Sequence, residues 1–451
     1  MGSAASSRAS PRAPTSGTRP TPGSGAASPS GSSTRATSPS AASSRKRVAA
    51  KPWTPISTNL PVRRLRARCR RPGMGRRSDP MISFGPSEEQ QVVREAMREF
   101  AEQVLRPVAR EADEESALPD GILDQVWELG LTNTQLPEAF GGGGEARSPI
   151  TNALILEELA FGDPALAIAS THPSAVAFAI NDFGTEEQKE AHLPRFCGDR
   201  FAPASLALIE PSPTFDATAL QTTVEPKEGG FVLSGRKSFV VLGDRAELFL
   251  VLARNAQSAE TGFSAVDAFL VPSDTPGLTV SELELNLGMK GLPTVSLDLA
   301  QVEVPEEARL GGDRGIDAGR LLAGTRTANA ALLTGLCRAV MEYAIPYAKD
   351  RHAFGEAIAQ KQAIAFMLSN MQIETNSMRW LTWKAAAALE SLEDATRPAL
   401  FAHGYSAEQG MKLADDGLQV LGGHGFIREH PVEMWYRTAR TLTVLEGVAA
   451  V

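Results

Sequence analysis

The sequence predicts a multidomain α+β chain: an α-helical N-terminal domain, a middle antiparallel β-barrel or sandwich, and a C-terminal four-helix bundle. Three observations predict it. Apolar residues recur at helical spacing from Ser87, give way to short β-branched and aromatic runs after Phe201, and return to helical spacing after Leu310. At 451 residues the chain is long enough for about two or three domains. Residues 1–80 differ in composition from everything that follows. The expected boundaries are 1–80, 81–201, 202–310 and 311–451, with no internal repeat.

Residues 1–80 are rich in Ser, Pro, Ala, Gly and Arg and poor in large apolar side chains, so they are expected to be disordered. They carry 16 Lys and Arg against one acid, Asp79, whereas the rest carries 29 against 52. Three readings compete. An acid-poor leader of this kind suits an organellar transit peptide. The run Arg63-Arg64-Leu65-Arg66-Ala67-Arg68 suits contact with nucleic acid or an anionic membrane. The favoured reading is that translation begins at Met74 or Met81. No apolar segment of the kind secretion needs is present.

In the first helical block, Ser87 and Gln90 form a capping box. Val93, Met97, Phe100 and Val104 follow at helical spacing, and Pro107 is expected to close or kink the stripe. Gly141–Gly144 is a plain loop, since the Lys-Ser/Thr pair of a phosphate-binding loop is missing. Ile155-Leu156-Glu157-Glu158-Leu159 begins another helix.

The middle block is read from Gly230–Gly235, Phe239–Leu242, Leu248–Leu252 and the alternating Val295, Leu297, Leu299, Val302 and Val304, all split by turn residues. In the last block Ile364, Met367, Met371, Met378 and Leu381 make a buried stripe. Met411, Ala414, Leu418 and Leu421 make a second, ended by Gly422-Gly423. Long helices with short connections indicate a bundle, and the methionines are core.

Composition excludes several classes. No apolar run is long enough for a membrane span. Cys69, Cys197 and Cys337 are far apart, which excludes a disulfide scaffold and suits a reducing compartment. The six histidines are scattered, so no metal site is expected. The acidic body argues against a nucleic-acid partner.

From Phe84 to Gly447 the chain resembles the acyl-CoA dehydrogenases. The motifs that carry the resemblance stand in order: Leu136–Gly142, Gly184–Lys189, Arg351-His352-Ala353-Phe354-Gly355 with Gln362-Ala363-Ile364, Gln419-Val420-Leu421-Gly422-Gly423-His424-Gly425-Phe426, Tyr436–Arg440 and Leu445-Glu446-Gly447. The resemblance implies a family-like fold, an FAD cofactor, an acyl-CoA thioester substrate and an electron-transferring flavoprotein as acceptor. It also implies a homo-oligomer, tetramer or dimer, because the family completes each FAD site with a neighbouring subunit. A bacterial cytoplasmic location is implied, with the mitochondrial matrix as the alternative if residues 1–80 are a transit peptide.

The same resemblance assigns roles. Glu446 falls at the position of the catalytic base. Such a base needs a carboxylate in apolar surroundings, where desolvation raises its basicity. The other position used for a base within the family is occupied here by Thr325, which cannot serve. Arg351 suits the FAD pyrophosphate, since a guanidinium fork matches phosphate oxygens. Phe354, Gln362, Gln419, Gly422 and Gly423 accompany it. Leu208, Ile209, Phe239 and Val241 fall at flavin-contacting positions, and Phe215, Arg326 and Gly447 at substrate-contacting ones.

Several positions depart from the family pattern. Ile209 and Val241 replace hydroxyl residues, Phe215 replaces a small serine, Phe239 a tryptophan and Ala323 an aspartate. Pro346 lies inside the helix that leads to Arg351 and is expected to kink it. The expected function is α,β-dehydrogenation of an acyl-CoA. The alternatives are an oxidase or flavin monooxygenase, and a non-catalytic binding or assembly subunit.

Overall fold

The computed structural model describes residues 85–451, so the expectations for residues 1–80 and for a start at Met81 lie outside the described residues. Helix α1 (Glu88–Phe100) starts at the capping box: the Ser87 hydroxyl accepts the Gln90 N–H at 3.2 Å, and Gln90 Oε1 accepts the Ser87 N–H at 3.0 Å. Met97 and Phe100 are buried, with Val93 and Val104 packed against the same core. The chain does not stop at Pro107. A π-helical turn, Ala101–Leu105, leads straight into α2 (Arg106–Glu115), and the Arg106 N–H bonds back to the Ala101 carbonyl. The widened turn accommodates the donor that proline lacks without breaking the helix.

Helix α3 (Ile122–Trp127) precedes the glycine loop. The amides of Gly141, Gly142, Gly143 and Gly144 all bond to carbonyls between Asn133 and Glu138, at 2.9 to 3.1 Å, so none faces outward as a phosphate donor. Helix α4 (Pro149–Gly162) begins earlier than Ile155 because Ser148 caps it and Pro149 suits the first turn. Then come α5 (Pro164–Phe183), capped by Asp163, α6 (Glu186–His192) and α7 (Pro194–Cys197).

The middle domain comprises β1 (Ala204–Ala207), β2 (Thr223–Lys227), β3 (Gly230–Val241), β4 (Leu248–Asn255), β5 (Val266–Pro272), β6 (Leu278–Leu283) and β7 (Thr294–Pro305). They form one sheet in the order β1-β4-β2-β3-β7-β6, with β5 on β4. Most pairings are antiparallel, as expected. The pairings of β4 with β1 and with β2 are parallel. The first two runs read from the sequence fuse into β3, whose register shifts between Lys237 and Val240.

The last domain is helical: α8 (Ala318–Asp350), the small hairpin β8 (His352–Ala353) and β9 (Glu356–Ala357), α9 (Gln362–Glu390), α10 (Thr396–Leu421) and α11 (Val432–Leu442). Helix α8 continues through Pro346 to Asp350. Met371 and Met378 are fully buried, with Ile364, Met367 and Leu381 at the margin of the same core. Helix α4 also packs here. Its adjacent acids Glu157 and Glu158 are buried and matched by Arg338 of α8, which donates to each at 2.7 Å. Arg379 adds a bond to Glu157 at 2.7 Å and Arg94 one to Glu158 at 2.8 Å. Among the described residues no helix is long and apolar enough to cross a membrane.

Candidate active site

Glu446 lies just beyond α11, where the chain leaves the helix and bends at Gly447. Gly447 has φ +71°, and a Cβ there would stand 2.8 Å from Leu208 Cδ2, so any other residue would be both strained and in collision. The bend sets Glu446-Gly447 against Leu208. The Glu446 carboxylate is gripped along one edge by Arg326 of α8: Nη2 donates to Oε1 at 3.0 Å and to Oε2 at 3.2 Å, and Nε to Oε1 at 3.2 Å. Arg326 is buried and Glu446 partly so. The Thr325 hydroxyl donates to its own helix at Leu322.

Two residues that sequence reasoning did not single out complete this corner. Asn329, fully buried on α8, donates to the Leu445 carbonyl at 2.7 Å. His403 of α10 places Nδ1 4.0 Å from Glu446 Oε1. Burial lowers the His403 pKa from its ordinary value; Glu446 opposes this, Arg326 adds to it, and the Leu445 carbonyl opposes it. Isolated His and Asn residues on helices carry no motif, and only the crossing of α8 with α10 brings them together.

The surface beside Glu446 is built by stapled backbone. Lys237 and Glu210 form a buried pair at 2.9 Å, and Lys237 Nζ also donates to the Leu208 carbonyl at 3.2 Å. Glu210 in turn accepts the amides of Gln221 and Thr222. Burial alone would raise its carboxyl; the Lys237 charge and these hydrogen bonds hold it below the usual range. Burial pulls Lys237 down to about 8, against the pull of Glu210. The Ser238 amide donates to the Ile209 carbonyl at 2.9 Å. Leu208 and Ile209 are therefore fixed by the strand that carries Phe239 and Val241.

Phe239 itself sits at φ +52°, an uncommon left-handed conformation for an aromatic residue. Its amide is held by the Glu284 carboxylate at 3.1 and 3.2 Å, and the bulge turns the ring out of the strand's alternation. Val241 is buried, and Ile209 packs against the same apolar core. Phe215 packs at the edge of a second core, and Asp216 beside it is electrostatically coupled to Arg326.

A further link was invisible in the sequence. His172 of α5 is fully buried, with Nδ1 bonded to the Val448 carbonyl at 2.8 Å. Its Nε2 accepts the Leu206 amide at 3.1 Å, and Ser205 donates to the Val241 carbonyl at 2.6 Å. Strand β1, the end of β3 and the segment after Glu446 are thereby tied together. Burial pulls the imidazole down to about 4, so it is neutral near pH 7.

Arg351, Phe354, Gln362, Gln419, Gly422 and Gly423 form a separate group, all exposed. Tyr347 draws its two halves together: its hydroxyl bonds to His424 Nδ1 at 2.8 Å and to the Leu421 carbonyl at 3.3 Å. Phe354 and Gly355, at φ +56° and +88°, make the tight turn between β8 and β9, and the Phe354 ring is 93% exposed. Cβ atoms built on Gly422 and Gly423 would meet nothing within 4 Å. Among the described residues, no hydrogen bond or ion pair joins this group to the Glu446 corner, and the Arg351 guanidinium has no partner. Nor do three His, Cys, Asp or Glu side chains among them converge as a metal site. An open cleft of about 690 Å³ near Asp317, Leu392 and Asp394 contains none of the residues singled out by the sequence.

The fold has counterparts. Family profiles for the acyl-CoA dehydrogenase N-terminal, middle and C-terminal domains match residues 87–199, 205–302 and 314–451. An acyl-CoA dehydrogenase of Bacillus subtilis is 32% identical over 80% of this chain and 95% of its own. The chain belongs to the acyl-CoA dehydrogenase family. It is an oxidoreductase of that FAD-dependent family, acting on CH–CH groups. A 3-(aryl)acrylate reductase of Clostridium sporogenes is 31% identical over 81% of this chain and 96% of its own. The butyryl-CoA dehydrogenase of Megasphaera elsdenii superimposes with a TM-score of 0.73 at 28% identity, covering 82% of this chain and 96% of that one.

Proposed function

We propose that the protein oxidises an acyl-CoA thioester at its α,β bond to the trans-2-enoyl-CoA, with Glu446 as the base that removes the α proton. The observation that carries this reading is the placement of Glu446. Its carboxylate is anchored on one edge by Arg326, at a bend pressed against Leu208, beside the stapled Leu208–Ile209 and Phe239–Val241 surface. FAD, when bound, supplies the acceptor for the β hydride.

The residues present suit that cofactor. Phe239 offers an aromatic face on a strained, firmly held backbone. Arg351 offers a cation without a partner, Gln362 and Gln419 offer exposed amides, and Gly422-Gly423 offers open space for close approach. Ile209 and Val241 offer only backbone groups. Because one chain leaves the Arg351 group apart from the Glu446 corner, we infer that a second copy completes each site, in a dimer or tetramer. Phe366, Ile373 and Trp380, spaced by seven on α9 and each more than half exposed, give that copy an apolar face to cover.

In the reaction Glu446 accepts the proton at a carboxylate oxygen, and Arg326 sets its orientation. Electrons pass on to an electron-transferring flavoprotein in this reading, in a bacterial cytoplasm or, if residues 1–80 address the chain there, a mitochondrial matrix. One relative is by name a reductase of 3-(aryl)acrylates, which makes 3-arylacrylates worth including as probes.

An anaerobic titration of the FAD-loaded protein with a panel of acyl-CoA thioesters tests the reading. Bleaching of the visible flavin band by one chain class is expected. Loss of the hydroxyls at Ile209 and Val241 favours, as a second reading, an oxidase or monooxygenase. Oxygen uptake in the aerobic titration would identify it, and a flavin that no thioester bleaches would refute the dehydrogenase.

A further inference from the structure

We propose that His403 is a positioning residue for Glu446: Asn329 holds its imidazole in the Nδ1–H form, so that this N–H faces the carboxylate and keeps it ionised and aimed. The inference rests on the reading of Glu446 as the base.

Asn329 sets the tautomer of His403. Its amide nitrogen lies 2.7 Å from the Leu445 carbonyl oxygen and 2.9 Å from His403 Nε2. Its Oδ1 is buried without a partner among the described residues. Turning the amide over would set two acceptor oxygens 2.7 Å apart, so the nitrogen belongs where it is. One of its hydrogens goes to Leu445, and the other to His403 Nε2 at 2.9 Å in preference to the Leu442 carbonyl at 3.4 Å. That nitrogen is then an acceptor, and a neutral imidazole must carry its proton on Nδ1. Nδ1 stands 4.0 Å from Glu446 Oε1, about one ångström beyond hydrogen-bond reach. His403 Nε2 also lies 3.2 Å from the Leu445 carbonyl, an oxygen that Asn329 already serves at the shorter distance.

The charged groups around this pair are few. Arg326 faces both His403 and Glu446 from α8, Glu446 faces His403 from the segment after α11, and Asp216 acts on Arg326 from the loop after β1. Partly buried and beside Arg326, His403 stays neutral at neutral pH and acts as a dipolar donor. A donor aimed at the charged form of a carboxylate favours that form. Arg326 alone grips one edge; His403 supplies the restraint on the other side while the base works.

The test uses the full chain loaded with FAD and the acyl-CoA that bleaches it. Flavin reduction is followed in single turnovers across pH. His403→Asn puts an amide nitrogen near the place of Nδ1, whereas His403→Gln puts one near Nε2. In His403→Gln the acid limb of the rate should move up by about one pH unit, about tenfold in rate on the limb, with KM retained. His403→Asn should restore most of the shift. An unchanged limb in His403→Gln, or equal shifts in both variants, would overturn the proposal, the latter by showing a packing role only. Nitrogen-15 NMR of the wild-type histidines gives a reading independent of turnover. The resonance lost in His403→Gln should show the Nδ1–H form, and an Nε2–H imidazole would overturn the proposal. A wild type bleached by no thioester would remove Glu446 as base and this inference with it, whereas failure here with a bleached wild type leaves the dehydrogenase reading intact.

Discussion

Glu157–Glu158 and Glu446 are each paired with a buried arginine, and the two clusters are built to opposite ends. In the helical scaffold Glu157 and Glu158 meet Arg338, Arg379 and Arg94, so each carboxylate is held from more than one side. Both acids are at most 3% exposed. At the other site Glu446 is gripped by Arg326 along one edge, with His403 standing off at 4.0 Å and its side chain 18% exposed. A carboxylate saturated with donors cannot accept a proton readily, which suits a structural part. One held along a single edge keeps the lone pairs of its far edge free to accept a proton. Surroundings, rather than charge type, separate the two.

The largest effect that would sharpen this contrast is at Glu446. Glu446→Gln should keep FAD and fold while slowing flavin reduction by acyl-CoA about 10²–10⁴-fold, as loss of a positioned general base does. Rapid-mixing absorbance reads this directly. Next, Arg338→Met should leave Glu157 and Glu158 short of partners in the interior and lower stability by about 3–5 kcal/mol, measured by urea unfolding, while the folded fraction turns over normally.

The scaffold cluster should also respond to acid. Burial would raise the Glu158 carboxyl, but the hydrogen bonds and charges of Arg338 and Arg94 hold it below its ordinary value. A depressed folded-state pKa gives stability that is present above the unfolded value and lost as protonation reaches the folded one. Melting temperature should therefore fall as pH drops through and below about 4.5. Stability that rose in that range would break the assignment. The smallest expected effect is at Ser205: removing its hydroxyl in Ser205→Ala should cost about 0.5–1.5 kcal/mol in unfolding, since it loosens one neutral link between β1 and Val241.

Much of the architecture was legible because it follows local rules. The capping box at Ser87, the change of hydrophobic period near Phe201 and the methionine stripe on α9 each depend on neighbours in sequence. Pro107 does not close the stripe, because a π turn before it carries the helix on to Glu115. The parallel neighbours of β4 were illegible for a different reason, since strand partners are chosen in three dimensions. In the site, Glu446, Arg326 and Gly447 were readable through the family resemblance, and the structure brings them together with Leu208. His403, Asn329 and His172 were not, because each acts through a backbone carbonyl or a helix crossing that leaves no pattern along the chain.

If Glu446 reacts and Glu158 builds, paired substitutions separate the two roles. Glu446→Gln and Glu158→Gln, each loaded with FAD, should be compared for melting temperature and for the rate of flavin reduction by the same acyl-CoA. Glu446→Gln should melt with the wild type and barely reduce its flavin, whereas Glu158→Gln should melt earlier and reduce its flavin at the wild-type rate. Undiminished reduction in Glu446→Gln would contradict the account.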